Sequence, residues 1–115
     1  MSLTEYLKRK EAEGQEKHMP SIDVKECGTC GELSVTIQVS KEVIHPSTVE
    51  HAIKTIILYG ANKAGKLEQL TIFQLGDQNT VPRIRTSIKK GQYVKLIATA
   101  YCNLHGIWEN TVELK

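Results

Sequence analysis

No stretch of this 115-residue chain approaches the ~18 consecutive apolar residues that a membrane-spanning helix needs. The segment from Met1 to Glu16 is charged and has no apolar core, so it is not a secretory signal, and the sequence reads as cytoplasmic. Charge of one sign is also lacking. The net charge is +2, with 24% charged residues, which calls for no acidic macromolecule, although the small excess suits a small anion. There is no arginine-rich arm, no basic stripe interleaved with aromatics and no zinc-finger spacing, which argues against nucleic acid as a partner. Cysteine is sparse: three residues, an odd count without an export signal, favour thiols or metal ligands over a disulfide framework. No internal repeat is visible. The length fits one domain, residues 1–115, and a 40% hydrophobic content is enough for a core.

What is present is a series of short alternating runs. Leu33 to Val39 alternates apolar and polar residues at period two, the clearest strand in the chain. Further strands are read at Ser21–Glu26, His51–Tyr59, Leu67–Leu75, Arg83–Ile88, Tyr93–Tyr101 and Ile107–Leu114, separated by polar or glycine-containing turns. In the second of these, Ile53, Ile57 and Tyr59 are expected to share a face with His51. In Tyr93–Tyr101 the inward set is Val94, Leu96, Ala98 and Ala100, and the same period carries Cys102 to that side at the strand's end. Ser2 to Gly14 reads as a short helical arm, capped by Ser2 and Glu5, with Leu3, Tyr6 and Leu7 as a narrow apolar stripe. About seven strands and one small helix make an all-β, immunoglobulin-like antiparallel β-sandwich. The Cys…Trp…Cys spacing of antibody domains is absent, so the likeness is one of architecture.

The chemistry concentrates in a few places. Cys102 and His105 stand three positions apart on a turn after an apolar run, a thiolate and an imidazole that can hold one transition metal. The other histidines are His18, in a loop beside Met19-Pro20, His45, in a loop before Pro46, and His51, at a strand start. A sandwich gathers such connections at its ends, so all four can meet Cys102. Each histidine alone reads as a solvated side chain, and Glu16-Lys17-His18 alone reads as a charged loop. Four imidazoles and one thiolate exceed the tetrahedral set of a structural zinc and leave one open position on an octahedral ion. Iron accepts that arrangement and cycles between two oxidation states; with one histidine uninvolved, zinc fits as well. Cys27-Gly28-Thr29-Cys30 is a second motif. It lacks the partner knuckle of a four-cysteine site, which leaves structural thiols, a reversible disulfide or half of a shared site.

Three blocks, Glu16-Lys17-His18-Met19-Pro20, His45-Pro46-Ser47-Thr48-Val49-Glu50-His51 and Cys102-Asn103-Leu104-His105-Gly106-Ile107-Trp108, together resemble the superoxide reductase family in its one-domain neelaredoxin form, related to desulfoferrodoxin. The resemblance implies a square-pyramidal mononuclear iron with His18, His45, His51 and His105 as equatorial ligands and Cys102 as the axial one. It implies that Glu16 occupies the sixth position in the ferric resting state and that Lys17 draws in the anion. It implies superoxide as substrate, hydrogen peroxide as product, a rubredoxin-like electron donor and a homo-oligomer, tetramers being known in the family. The competing reading is a non-catalytic, zinc-stabilised β-sandwich used for binding. The chain departs from the family pattern after His51, with Ala52, Ile53 and Thr55 where a bulky residue, an isoleucine and later a tryptophan are usual. The CxxC is also foreign to the plain one-domain form. The four-cysteine iron domain of two-domain relatives is expected to be absent, because the first 26 residues hold no cysteine.

Overall fold

The structure, a computed structural model, describes residues 2–9, 18–40, 45–76 and 78–114. Seven strands run in order: β1 (Pro20–Glu26), β2 (Glu32–Val39), β3 (Ile53–Ala61), β4 (Leu67–Gln74), β5 (Arg83–Lys89), β6 (Lys95–Cys102) and β7 (Gly106–Glu113). They form two antiparallel sheets, one ordered β1-β2-β5 and the other β4-β3-β6-β7. This is the expected sandwich. None of the helices among the described residues is long and apolar enough to cross a membrane.

The core follows the period-two pattern. Val35, Ile37 and Val39 of β2 face Ile56 and Leu58 of β3 and Leu96, Ala98 and Ala100 of β6, nearly all of them without solvent exposure. Each fully buried branched side chain contributes about 1.5–3 kcal/mol. The inward set expected for β6 is found, with Cys102 continuing it, while Val94 is half-buried and precedes the strand. Gly60 of β3 is buried because the Tyr93 ring lies against it. A Cβ built there would come within 2.6 Å of that ring, closer than packing allows.

Two expectations are corrected. β3 begins at Ile53, not His51, and its buried face is Ile53, Ile56 and Leu58, with Ile57 and Tyr59 on the other side. The cause is a bulge: Ile53 pairs with Cys102 but Thr55 with Tyr101, so one extra residue on β3 reverses the alternation. The N-terminal helix is reduced to a single 3₁₀ turn, Leu3–Glu5, in which the Ser2 amide donates to the Glu5 carboxylate at 3.1 Å. Leu3 and Tyr6 stay mostly exposed, so the stripe buries too little to sustain a helix. Lys8 instead pairs in an extended conformation. Its amide donates to the Ile107 carbonyl at 2.9 Å, and its carbonyl accepts from the Glu109 amide at 2.8 Å. Arg9 forms an ion pair with Glu109. The remainder of the expected helix, residues 10–14, lies outside the described residues.

Candidate metal centre

One end of the sandwich collects the ligand-bearing connections. Ile53, Cys102 and Gly106 lie side by side across β3, β6 and β7. On the facing sheet, the start of β1 and the end of β2 are paired as Pro20 with Val39. His18 precedes the first of these and His45 follows the second, so both sheets deliver side chains to the same end.

There the expected residues meet. The ligand atoms of His18, His51, Cys102 and His105 all lie within 4.8 Å of one another. His18 Nε2 is 3.0 Å from His105 Nδ1, and Cys102 Sγ is 3.7 Å from His105 Nδ1. His45 joins through its Nε2, 3.6 Å from Cys102 Sγ, with its ring centroid 4.5 Å from that of His51 and 4.9 Å from that of His18. The donor chemistry fits a transition metal. Two nitrogens at right angles, each ~2.1 Å from an ion, lie about 3 Å apart, and opposite ligands about 4–5 Å apart.

Burial gives the cluster a direction. Cys102 is fully buried, and His18 and His45 are each 3% exposed, whereas His51 and His105 are half-buried. The sulfur thus forms the closed floor, and the site opens past His51 and His105. Glu16 and Lys17, the other two expected site residues, lie outside the described residues.

Hydrogen bonds set the rings. His45 Nδ1 donates to the Pro46 carbonyl at 2.8 Å, because a carbonyl only accepts, and this leaves the Nε2 lone pair aimed at the centre. Asn103 joins the Cys102 turn to the His51 loop. Its Oδ1 accepts from the Ala52 amide at 3.0 Å, its Nδ2 donates to the Glu50 carbonyl at 3.3 Å, and its own amide donates to the Ala52 carbonyl at 3.2 Å. Ala52 is completely buried at this junction. Trp108 backs the cluster: its ring stacks on His18 with centroids 4.9 Å apart, and its Nε1 donates to the His105 carbonyl at 3.2 Å. Lys8 Nζ sits 5.6 Å from the centroid of the same indole. Sequence reasoning gave no role to Trp108 or to the Asn103 side chain. Their position in the block from Cys102 to Trp108 was the available signal.

Fold and cluster define a class, the β-sandwich that carries a histidine–cysteine transition-metal centre at one end. The chain belongs to the desulfoferrodoxin family, whose model matches residues 10–111. It is 38% identical over 104 residues to a superoxide reductase of Pyrococcus horikoshii, spanning 87% of this chain and 89% of the relative. It is 27% identical over 110 residues to a neelaredoxin of Megalodesulfovibrio gigas, spanning 84% and 85%. Among solved structures, a hypothetical protein of Pyrococcus horikoshii superposes with a TM-score of 0.87 at 34% identity, covering 99% of this chain and 100% of that one. A superoxide reductase of Giardia intestinalis does so with a TM-score of 0.75 at 36% identity, covering 87% and 100%.

Proposed function

We propose that this chain is a superoxide reductase, converting superoxide to hydrogen peroxide with one electron and two protons at a mononuclear non-haem iron. The observation that carries the reading is the convergence of His18, His51, Cys102 and His105 within 4.8 Å, with His45 against the sulfur, in a chain of this family. Relatives bearing the name superoxide reductase support the reaction class. The residues that would hold the iron are His18, His45, His51 and His105 through nitrogen and Cys102 through sulfur. When bound, iron supplies the single electron, and its thiolate ligand makes that transfer and the release of product favourable.

The chain's own groups have separable tasks. Cys102, fully buried, keeps water from the sulfur and fixes which side of the centre is closed. His45 holds its proton at Nδ1 against Pro46, so it serves as a ligand rather than as an acid. Substrate reaches the half-buried side at His51 and His105, and protons come from solvent there. From the sequence match, Lys17 attracts the anion and Glu16 covers the centre between turnovers. The reading also carries a small iron protein of rubredoxin type as electron donor, a cytoplasmic location and assembly into a homo-oligomer. The edge strand β4, with Leu67 and Ile72 exposed, is a surface suited to such assembly.

One observation favours a second reading. The tightest group has four donors, the number a structural zinc takes, which suits a zinc-stabilised binding domain. Metal analysis combined with a redox titration and a superoxide assay separates the two. The enzyme reading expects one iron per chain, reversible reduction, and consumption of superoxide to peroxide without dioxygen. One zinc with no redox response would overturn it.

A further inference from the structure

A second sulfur site lies at the other pole of the sandwich. β1 starts beside the metal centre and runs seven residues away from it, roughly 20 Å, to the turn that carries Cys27 and Cys30. The two cysteines are joined as a disulfide across that turn, while Cys102 is the free cysteine. A stabilising role does not account for the bond. The hairpin is already closed without it: Glu26 pairs with Leu33, and the Cys27 amide donates to the Glu32 carbonyl at 3.0 Å. The neighbouring basic turn is tied on separately, the Lys90 amide donating to the Gly31 carbonyl at 3.0 Å and the Lys90 ammonium lying 2.7 Å from the Glu26 carboxylate. A cross-link between residues three apart also removes little freedom from the unfolded chain.

The two sulfurs differ in ways that suit exchange chemistry. Residues 28–31 are exposed, Cys30 among them, whereas Cys27 is half-buried. The Cys30 amide donates to Cys27 Sγ at 3.2 Å, a contact that stabilises negative charge on that sulfur. The strand ends carrying the turn also wall an open cleft of about 560 Å³, lined by Ile22, Val24, Leu33, Tyr93, Val112 and Leu114, with Glu26 and Lys90 at its rim. A partner approaching the turn therefore meets apolar surface at Val24 and Leu33, each three residues from a cysteine.

We propose that Cys27–Cys30 is a thiol–disulfide exchange site whose reducing substrate is a dithiol. A thiolate of the dithiol attacks the exposed Cys30 sulfur. The Cys27–Cys30 bond breaks, and its electron pair stays on Cys27 Sγ as a thiolate, to which the Cys30 amide donates a hydrogen bond. The second thiol of the reductant then attacks its own sulfur in the mixed disulfide, releasing Cys30 as thiolate. The substrate leaves as a disulfide, two electrons and two protons having passed to the pair. Nothing in this step involves the metal centre.

The test uses the full, metal-loaded chain. Treatment with dithiothreitol without denaturant, followed by alkylation and mass measurement, should label Cys27 and Cys30 but not buried Cys102. Reduction should shift the unfolding midpoint by less than about 4 °C. With glutathione disulfide as probe, Cys27→Ser should trap a mixed disulfide on Cys30 several-fold faster than Cys30→Ser traps one on Cys27. Resistance to dithiothreitol until the protein unfolds, a large loss of stability on reduction, or equal trapping by the two variants would each overturn the proposal. Because the readouts are labelling and melting, they are independent of whether superoxide is the substrate at the other pole.

Discussion

Trp108 lies nearly parallel to His18, the ring planes within 16° and the centroids 4.9 Å apart. The same indole donates to the His105 carbonyl and receives Lys8 from the N-terminal arm. One side chain thus braces two histidines of the cluster that are far apart in sequence. Trp108→Phe keeps an apolar wall but removes the Nε1 donor and part of the stacking area. It should cost about 1–2 kcal/mol in chemical denaturation and loosen metal retention against a chelator. Trp108→Ala, which leaves a cavity at a residue only 3% exposed, should cost about 3–5 kcal/mol. Unchanged metal retention in both variants would remove Trp108 from the support of the centre.

Asn103 acts on the centre through the backbone. Its side chain bonds the Ala52 amide and the Glu50 carbonyl, on either side of His51, from a position directly after Cys102. Asn103→Ala leaves both groups without that partner and should destabilise the fold by about 2 kcal/mol. Metal affinity should fall roughly 10–100-fold, because His51 is no longer held to the Cys102 turn. Asn103→Asp, which retains the acceptor for the Ala52 amide, should recover part of that affinity. Equal losses in the two variants would argue that the Ala52 contact is not what matters.

Cys102 sits at the buried end of β6 and supplies the thiol of the histidine cluster. Cys102→Ser replaces a soft, strongly donating thiolate with a hydroxyl. In the iron-loaded, oxidised protein, the visible sulfur-to-iron charge-transfer absorption should disappear, and superoxide reduction should fall by orders of magnitude. A surviving band would show that another group supplies the sulfur ligand.

How far these positions could be read beforehand depends on how local their causes are. The alternation of β2 and β6 is a local property, and it placed Cys102 on the inner side at the end of its strand. The histidines beside Pro20 and Pro46 could be assigned to connections for the same reason. The face of β3 could not, because its bulge exists only through pairing with β6. The extended pairing of Lys8 with β7 likewise depends on a distant strand and prevails over a weak helical stripe. The stacking of Trp108 on His18 and the side-chain bonds of Asn103 join neighbours 51 to 90 positions apart, which no spacing rule encodes. The CxxC left three readings open until the structure joined Cys27 to Cys30.

Lys17 is covalently next to His18, whose ring is 3% exposed within the cluster. A cation at the mouth of such a site accelerates capture of a small anion by raising its local concentration, and the acceleration declines as salt shortens the reach of the field. The chain's net charge is only +2, so the general field is weak and one lysine can be a large part of the local one. Lys17→Ala should therefore slow superoxide capture several-fold at low ionic strength and flatten the dependence of that rate on salt. Iron content and the thiolate absorption should be unchanged, since an ammonium is no ligand. Lys17→Arg should restore most of the rate by restoring the charge. An alanine variant with the parent's rate and salt dependence would assign the steering to another cation.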